Sequence, residues 1–182
     1  MSSDPTMPAS SAPSISYEQA ESCPTRSSMT IHVLCFGNLL QGDDGFGIHV
    51  YRRLCAEPWP PGVRVFDAGI SGLSALTHFD GCDRAVVVDA LADFGEENEG
   101  LLHRLTLTEL APPVDAFSAH ALDLAHVFHA LPILFAERSL PEIVIIGAEI
   151  KKVTGQFSMD LSPRLAKAVE PAVRLIRQEL AR

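Results

Sequence analysis

Three aspartates stand at or just after the ends of the first three predicted strands. Asp44 lies in the loop GNLLQGDDGFG, which directly follows the apolar run IHVLCFG. Asp67 stands near the end of the run VRVFDAG, and Asp89 directly follows AVVV in DRAVVVDAL. Ligands of open α/β sheets bind outside the carboxyl ends of the strands. We therefore expect the three carboxylates to converge on one edge of the sheet.

A histidine adds to this set. His120 stands in SAHALD, at the start of a predicted helix over 118–131. Imidazole together with carboxylate oxygens is a ligand set that borderline divalent metals accept, so the pattern is compatible with a metal site. Structural roles remain open, because a lone histidine there is usually a cap or a surface residue. Asp67 and Asp89 could each serve as a backbone cap.

The glycine-rich loop lacks the features of a phosphate-binding loop. Its glycines, at 37, 42, 45 and 47, miss the GxGxxG spacing, and the chain contains neither GxxxxGK[ST] nor GxSxG. The adjacent carboxylates of Asp43 and Asp44 would repel a pyrophosphate. We interpret the loop as one that presents carboxylate oxygens to a cation, although either acid could instead cap the following helix.

The order of the predicted elements indicates an α/β domain. Strands that alternate with helices imply parallel βαβ units in three layers. The run LLHRLTL is predicted to lie at a sheet edge, and the last helix has a proline in its first turn, where no N–H is needed. The predicted strands are 31–37, 63–69, 83–91, 101–107 and 142–150, and the predicted helices are 45–57, 71–82, 118–131 and 162–182.

Composition narrows the classes of function. The 182 residues suit one domain, and 47% hydrophobic with 20% charged residues is ordinary for a globular protein. The net charge of −9 argues against a nucleic-acid partner, which would need a basic face. No apolar run has the roughly 20 residues of a membrane helix, so no membrane insertion is expected.

The cysteines and the N-terminus complete the domain prediction. Four scattered cysteines without a CxxC pair indicate reduced thiols in the cytoplasm rather than disulfides or a zinc site. Residues 1–29 are rich in Ser, Pro, Ala and Thr, which predicts a disordered N-terminal extension. The ordered domain is predicted to span 30–182.

Four segments in order, GNLLQGDDGFG, VRVFDAGISGLSAL, DRAVVVDAL and SAHALDL, resemble the NiFe-hydrogenase maturation endopeptidases. The resemblance runs from about residue 31 to the C-terminus. It implies an α/β/α fold with a twisted, mostly parallel sheet flanked by helices. It also implies an endopeptidase that removes the C-terminal extension of a hydrogenase large-subunit precursor after nickel insertion. The N-terminal extension is a departure, since family members tend to begin near the first strand.

The resemblance assigns roles to residues of this chain. Asp44, Asp89 and His120 fall on the family's metal-contacting and catalytic positions, and some members carry glutamate where Asp44 stands. The nickel would be carried by the substrate, and the protein would be cytoplasmic and monomeric when free. Four residues fall on supporting positions: Asp43, Asp67, Gly37 and Asn38. With Asp44 as the ligand, Asp43 is expected to cap the following helix.

Two other functions stay open at this point. One is a nickel-dependent chaperone that binds the precursor without cutting it, and the other is a small-molecule metallohydrolase on the same fold. The chain shows no recognisable Ser–His or Cys–His pair, and Cys35 lies inside a predicted buried strand. These observations favour metal-assisted hydrolysis over a covalent route. Whether nickel is catalytic or only a docking handle is left open by the sequence.

Overall fold

The computed structural model describes residues 29–70, 72–92, 98–109, 127–128, 130–137, 139–151 and 157–182. Apart from Met29, the predicted N-terminal extension lies outside these residues. His120 and most of the predicted helix over 118–131 also lie outside them, while residues 127, 128 and 130–134 are helical.

A five-stranded sheet forms the centre of the domain. Its strand order is β2-β1-β3-β5-β4, in which β4 runs antiparallel to β5 and all other neighbours are parallel. The predicted mostly parallel α/β fold is confirmed, and the predicted edge strand is β4. The strands are β1 Ile31–Phe36, β2 Val63–Gly69, β3 Arg84–Ala92, β4 Leu102–Thr106 and β5 Glu142–Ile150.

Helices flank the sheet: α1 Phe46–Cys55, α2 Gly72–Ala75 and α3 Pro163–Leu180. The Ser162 hydroxyl caps α3 by accepting from the Leu165 N–H, and α3 continues through Pro171. The prediction of one helix over 71–82 was wrong, because α2 is followed by a 3-10 turn at Leu76–Phe79. Short helical segments often adopt this tighter geometry. Within the described residues, no helix is long and apolar enough to cross a membrane.

Apolar side chains pack on both faces of the sheet and so produce three layers. On one face, α1 and α3 cover a wholly buried cluster that includes Val33, Val50, Val86, Ile146 and Val173. On the other face, the second buried cluster joins strand residues to the 3-10 turn and to the helical residues after 127; it includes Leu34, Phe79, Val87, Leu131 and Ile145. The strands are therefore apolar on both sides, as parallel strands between helix layers must be.

Two buried charged residues, Arg84 and Glu179, fasten the end of α3 to the sheet. Arg84 bonds both carboxylate oxygens of Glu142 at 2.8–2.9 Å through Nη2, and its Nη1 donates to the Glu179 carbonyl at 2.8 Å. Arg104 Nε donates to Glu179 Oε1 at 2.8 Å, and this bond lowers the pKa of the Glu179 carboxyl. Arg84 and Glu142 begin β3 and β5, so this fastening lies away from the sheet edge where the site is predicted.

The first turn of α1 crosses the sheet at unusually close range. A Cβ on Gly47 would lie 2.8 Å from the Val88 carbonyl oxygen and nearer still to the Phe36 carbonyl oxygen. Both obstacles are backbone atoms of central strands, which cannot move without shifting the sheet. Glycine at this position therefore allows α1 to sit directly on β1 and β3.

Replacing Gly47 with alanine should destabilise the protein by about 3 kcal/mol or more, because a methyl group would overlap two strand carbonyls. Urea denaturation measures the free energy of unfolding. Gly81→Ala is the control: Gly81 has φ +75°, and no atom would lie within 4 Å of a Cβ there, so the variant should lose only about 1 kcal/mol from backbone strain. Equal losses in the two variants would contradict the close approach.

Candidate functional site

Asp44 lies in a 3-10 turn, Gly42–Gly45, at the carboxyl end of β1 and directly before α1. The residue is almost fully buried, with 5% exposure. The Asp44 N–H donates to the Gln41 carbonyl at 3.3 Å, and the Asn38 N–H donates to the Asp44 carbonyl at 3.2 Å. The loop after β1 therefore folds back on itself and fixes the main chain at Asp44.

Gly37 makes this loop possible. Its φ is +141°, and a Cβ there would overlap the Asp44 carbonyl oxygen and lie 3.4 Å from Gly45 Cα. The Asn38 side chain also supports the loop, since its Oδ1 accepts from the Leu40 N–H at 3.0 Å. Both of these predicted supporting positions thus contact or hold the loop that carries Asp44.

Asp89 lies in β3 at the point where β1 has ended. The last residue pair between β1 and β3 is Cys35 with Val88, whereas Asp89 pairs with Gly147 on the other side. Asp89 is half-buried, and its Oδ1 accepts from the Ala90 N–H at 2.8 Å. The 3-10 turn that carries Asp44 packs against β3. The fold therefore brings Asp44 and Asp89 to the same end of the central strands.

Asp67 lies at the same edge but on the opposite face from Asp89. It pairs with Cys35 across β1 and β2, and so shares the face that α1 covers. Asp89 alternates with Val88 and lies on the other face. Asp67 is exposed, and its Oδ1 accepts from the Gly69 N–H at 3.0 Å. The prediction that all three carboxylates share an edge did not consider which face each one takes.

Asp43 serves as a link between two loops. Its Oδ1 accepts from the Ser162 N–H at 2.6 Å, and neither the 3-10 turn nor α1 has a side-chain hydrogen bond at its N-cap. The prediction that Asp43 caps the following helix is therefore wrong. The Ser162 hydroxyl in turn donates to Glu99 Oε1 at 3.3 Å. Asp43 therefore ties the Asp44 loop to the start of α3, 119 positions away in sequence, which local capping rules could not predict.

Cys35 is poorly suited to act as a nucleophile. Burial raises the pKa of its thiol well above the ordinary value, and the nearby charges of Asp67, Cys55 and Asp89 raise it further. A thiolate is the reactive form of cysteine, and these neighbours disfavour it. The structure thus supports the interpretation of Cys35 as a core residue.

Glu149 is a buried acid that the sequence interpretation missed. It is 0% exposed on β5, and its Oε2 lies 3.1 Å from His103 Nε2 on β4, while Oε1 has no hydrogen-bond partner among the described residues. Glu149 pairs with Leu91, two positions beyond Asp89 along β3, so it shares the sheet face of Asp89. The only sequence signal was an acid inside the apolar run EIVIIGAEI.

A complete ligand set is not visible in the described part of the chain, where no three His, Cys, Asp or Glu side chains are grouped to hold a metal ion. Two of the predicted contacts, Asp44 and Asp89, are described, and His120 lies outside the described residues. The arrangement supplies hard oxygen donors at the carboxyl end of the sheet, where a third ligand from the 118–131 segment is predicted.

Comparison with known proteins decides the family. The family model described as hydrogenase maturation protease matches residues 48–179. The chain belongs to the hydrogenase maturation protease family. Membership implies peptidase activity, and the general function of the family is the processing of hydrogenase large-subunit precursors. The resemblance noted in the sequence is thus confirmed at the level of the family.

Individual relatives agree with this family assignment. A Methanocaldococcus jannaschii protein, named provisionally as a hydrogenase maturation protease, is 37% identical over 79% of this chain and 92% of its own length. The maturation protease HybD of Thermococcus kodakarensis has a TM-score of 0.67 and 27% identity, over 85% of this chain and 100% of that one. HybD from E. coli, at 23% identity, shares the fold with a TM-score of 0.70, over 84% and 93% of the two chains.

Asp43→Ala should lower the free energy of unfolding by about 2 kcal/mol, because it removes a charge-assisted hydrogen bond that is partly buried. Asp43→Asn is the matched control, since the amide keeps an oxygen that can accept from the Ser162 N–H. It should lose about half as much in urea denaturation. A parental unfolding curve for Asp43→Ala would show that the link to α3 contributes nothing.

The three described cysteines should differ in their reactivity toward iodoacetamide near neutral pH. Cys55 is exposed and should be alkylated first, whereas Cys82, whose pKa burial raises to about 11, should react slowly. Cys35 should react only after unfolding in guanidinium. Peptide mass spectrometry gives the extent of labelling at each site, and rapid labelling of Cys35 in the native protein would contradict its assignment to the core.

Proposed function

We propose that this protein removes the C-terminal extension of a hydrogenase large-subunit precursor after nickel insertion, and that it recognises the nickel which the substrate carries. The observation that supports this most directly is the placement of Asp44 and Asp89. In a member of this protease family, a buried acid and a half-buried acid lie at one end of the central strands. Such a position is where ligands of open α/β sheets bind.

Recognition of nickel rests on the chemistry of the proposed contacts. The substrate's own cysteines would hold the ion, and Asp44, Asp89 and His120 would complete its coordination from the side of the protease. Carboxylate oxygen and imidazole nitrogen are suitable ligands for a borderline divalent ion. Without the ion, two carboxylates that repel each other would face the substrate, so an empty precursor would dock poorly. The protein thereby distinguishes a loaded precursor from an empty one.

The same placement of Asp44 and Asp89 beside the ion would also serve hydrolysis of the peptide bond. A bound divalent ion polarises a carbonyl or lowers the pKa of a coordinated water toward about 7. Asp44 or Asp89 would accept the proton of the attacking water as general base. The water oxygen bonds to the scissile carbonyl carbon, the C–N bond breaks, and the released amine takes up a proton. The buried Cys35, whose thiol pKa is raised, supports this route over a covalent one.

The remaining predicted residues act indirectly in this scheme. Gly37 and Asn38 fix the main chain of Asp44, and Asp43 holds the loop against α3. Asp67 would support the site through its charge from the opposite face of the sheet. We place the reaction in the cytoplasm, because the described cysteines are free thiols, as expected in a reducing compartment.

Asp44→Asn, Asp89→Asn and His120→Ala should each slow cleavage of nickel-loaded precursor by about a hundredfold or more, because each removes a proposed nickel contact. Gel mobility of the large subunit follows the reaction with loaded and with nickel-free precursor. The parental protein should cut only the loaded form. Asp80→Asn, which changes an exposed acid at the opposite end of the sheet, should cleave at the parental rate.

The same experiment separates the alternative functions. Parental cleavage of loaded precursor by both Asp89→Asn and His120→Ala would refute nickel recognition through these residues. A stable complex that releases uncut precursor would indicate a chaperone. Mass spectra that show turnover of a small molecule, with intact precursor, would indicate a metallohydrolase.

A further inference from the structure

Three large apolar side chains lie exposed beside the loop that carries Asp44. Leu40, Phe157 and Met159 are 53%, 85% and 54% exposed, and we refer to them together as the Phe157 ridge. A parallel bridge between Gln41 and Ser158 joins the two segments that bear them. Phe157 and Met159 are the chain neighbours of Ser158, so both lie directly beside this bridge.

Polar contacts hold the ridge in place. The Ser158 N–H donates to the Leu40 carbonyl at 3.1 Å, and the Gly42 N–H donates to the Ser158 carbonyl at 2.7 Å. His49 Nε2 lies 3.1 Å from the Met159 carbonyl oxygen. The bond from the Ser162 N–H to the Asp43 carboxylate anchors the far end of the same segment. The exposed side chains are therefore displayed by a hydrogen-bonded framework that also positions Asp44.

The ridge begins very near the proposed site. Leu40 and Asp44 are four positions apart, and most of the intervening chain belongs to the 3-10 turn. At about 2 Å of rise per residue, this places the ridge on the order of 10 Å from Asp44. A polypeptide whose scissile bond lies at Asp44 and Asp89 is therefore long enough to contact the ridge within a few residues. Exposed apolar groups at such a position typically mark an interaction site.

Size and charge favour a peptide segment over a second copy of this chain. Three side chains at these exposures present roughly 300 Å² of apolar surface, whereas a specific dimer buries at least about 1,000 Å² in total. Two copies of a chain with net charge −9 also repel each other. A ridge this small suits a few apolar side chains of an extended peptide.

We propose that the Phe157 ridge docks apolar side chains of the precursor segment next to the scissile bond. This inference rests on the proposed function, because it takes the precursor as the substrate. The framework that joins Ser158 to Leu40 and Gly42 holds the ridge at a fixed position beside the loop that carries Asp44. The ridge contributes affinity for the polypeptide, while the carboxylates contact the nickel.

Cleavage of nickel-loaded precursor by the double variant Phe157→Ser/Met159→Ser tests the ridge. The KM should rise about tenfold or more, since two large apolar contacts are lost, while kcat at saturating precursor stays parental. Leu40→Ser, on the other segment, should raise the KM in the same direction. Ile133→Ser is the matched control, because Ile133 is 78% exposed and lies beside Asp80, away from the Asp44 loop. A parental KM in the double variant, or an equal rise in the control, would overturn the proposal.

Two further measurements keep this result separate from the proposed function. Biolayer interferometry measures binding of the precursor, which should weaken in the double variant whether or not cleavage needs nickel. If the parental protein cleaves the precursor without nickel, that result refutes only the recognition of nickel. Light scattering should give the same oligomeric state for the parental protein and the double variant. A dimer that forms in the parental protein and is lost in the double variant is not expected. If such a dimer is found, the ridge is a contact between two copies of the chain and the docking proposal is wrong. Unchanged thermal unfolding confirms that the serine variants are folded.

Discussion

The close passage of one backbone segment over another determines where the functional groups lie. Gly47 lets α1 rest on the Phe36 and Val88 carbonyl oxygens, and Gly37 lets the preceding loop close on the Asp44 carbonyl. Neither position has room for a Cβ. Because glycine has none, the chain can turn from β1 into α1 within a short loop. That turn leaves Asp44 buried against β3, the strand that carries Asp89. A side chain at Gly37 would collide with the Asp44 carbonyl oxygen, and one at Gly47 would collide with the Phe36 and Val88 carbonyl oxygens.

Long-range polar contacts extend this constraint outward. Asp43 holds Ser162 at the start of α3, and the Gln41–Ser158 bridge joins the same loop to the segment before that helix. The far end of α3 is in turn fixed to the sheet at Glu179, through Arg84 and Arg104. The loop after β1 is therefore supported by a helix that is itself fastened at both ends. Such support suits the proposed nickel contact, which requires side chains at fixed geometry.

Much of the fold could be predicted from the sequence because its signals are local. The continuous apolar run EIVIIGAEI predicts β5 with the bounds that the structure shows, and Pro163 marks the start of α3. The segment over 71–82 was harder, since its few apolar positions fit a helix and a 3-10 turn equally well. The contact of Asp43 with Ser162 depends on tertiary packing, and no local pattern signals it. The burial of Glu149 likewise depends on β4 lying beside β5.

Entry of protease side chains into the coordination of the substrate's nickel is the step on which the proposed function depends. Nickel X-ray absorption of the loaded precursor, alone and frozen with the protein before cleavage, measures this directly. Added nitrogen and oxygen scatterers are expected in the complex, with an imidazole contribution that is lost in His120→Ala. A nickel spectrum that is unchanged on formation of the complex would contradict nickel recognition by these residues.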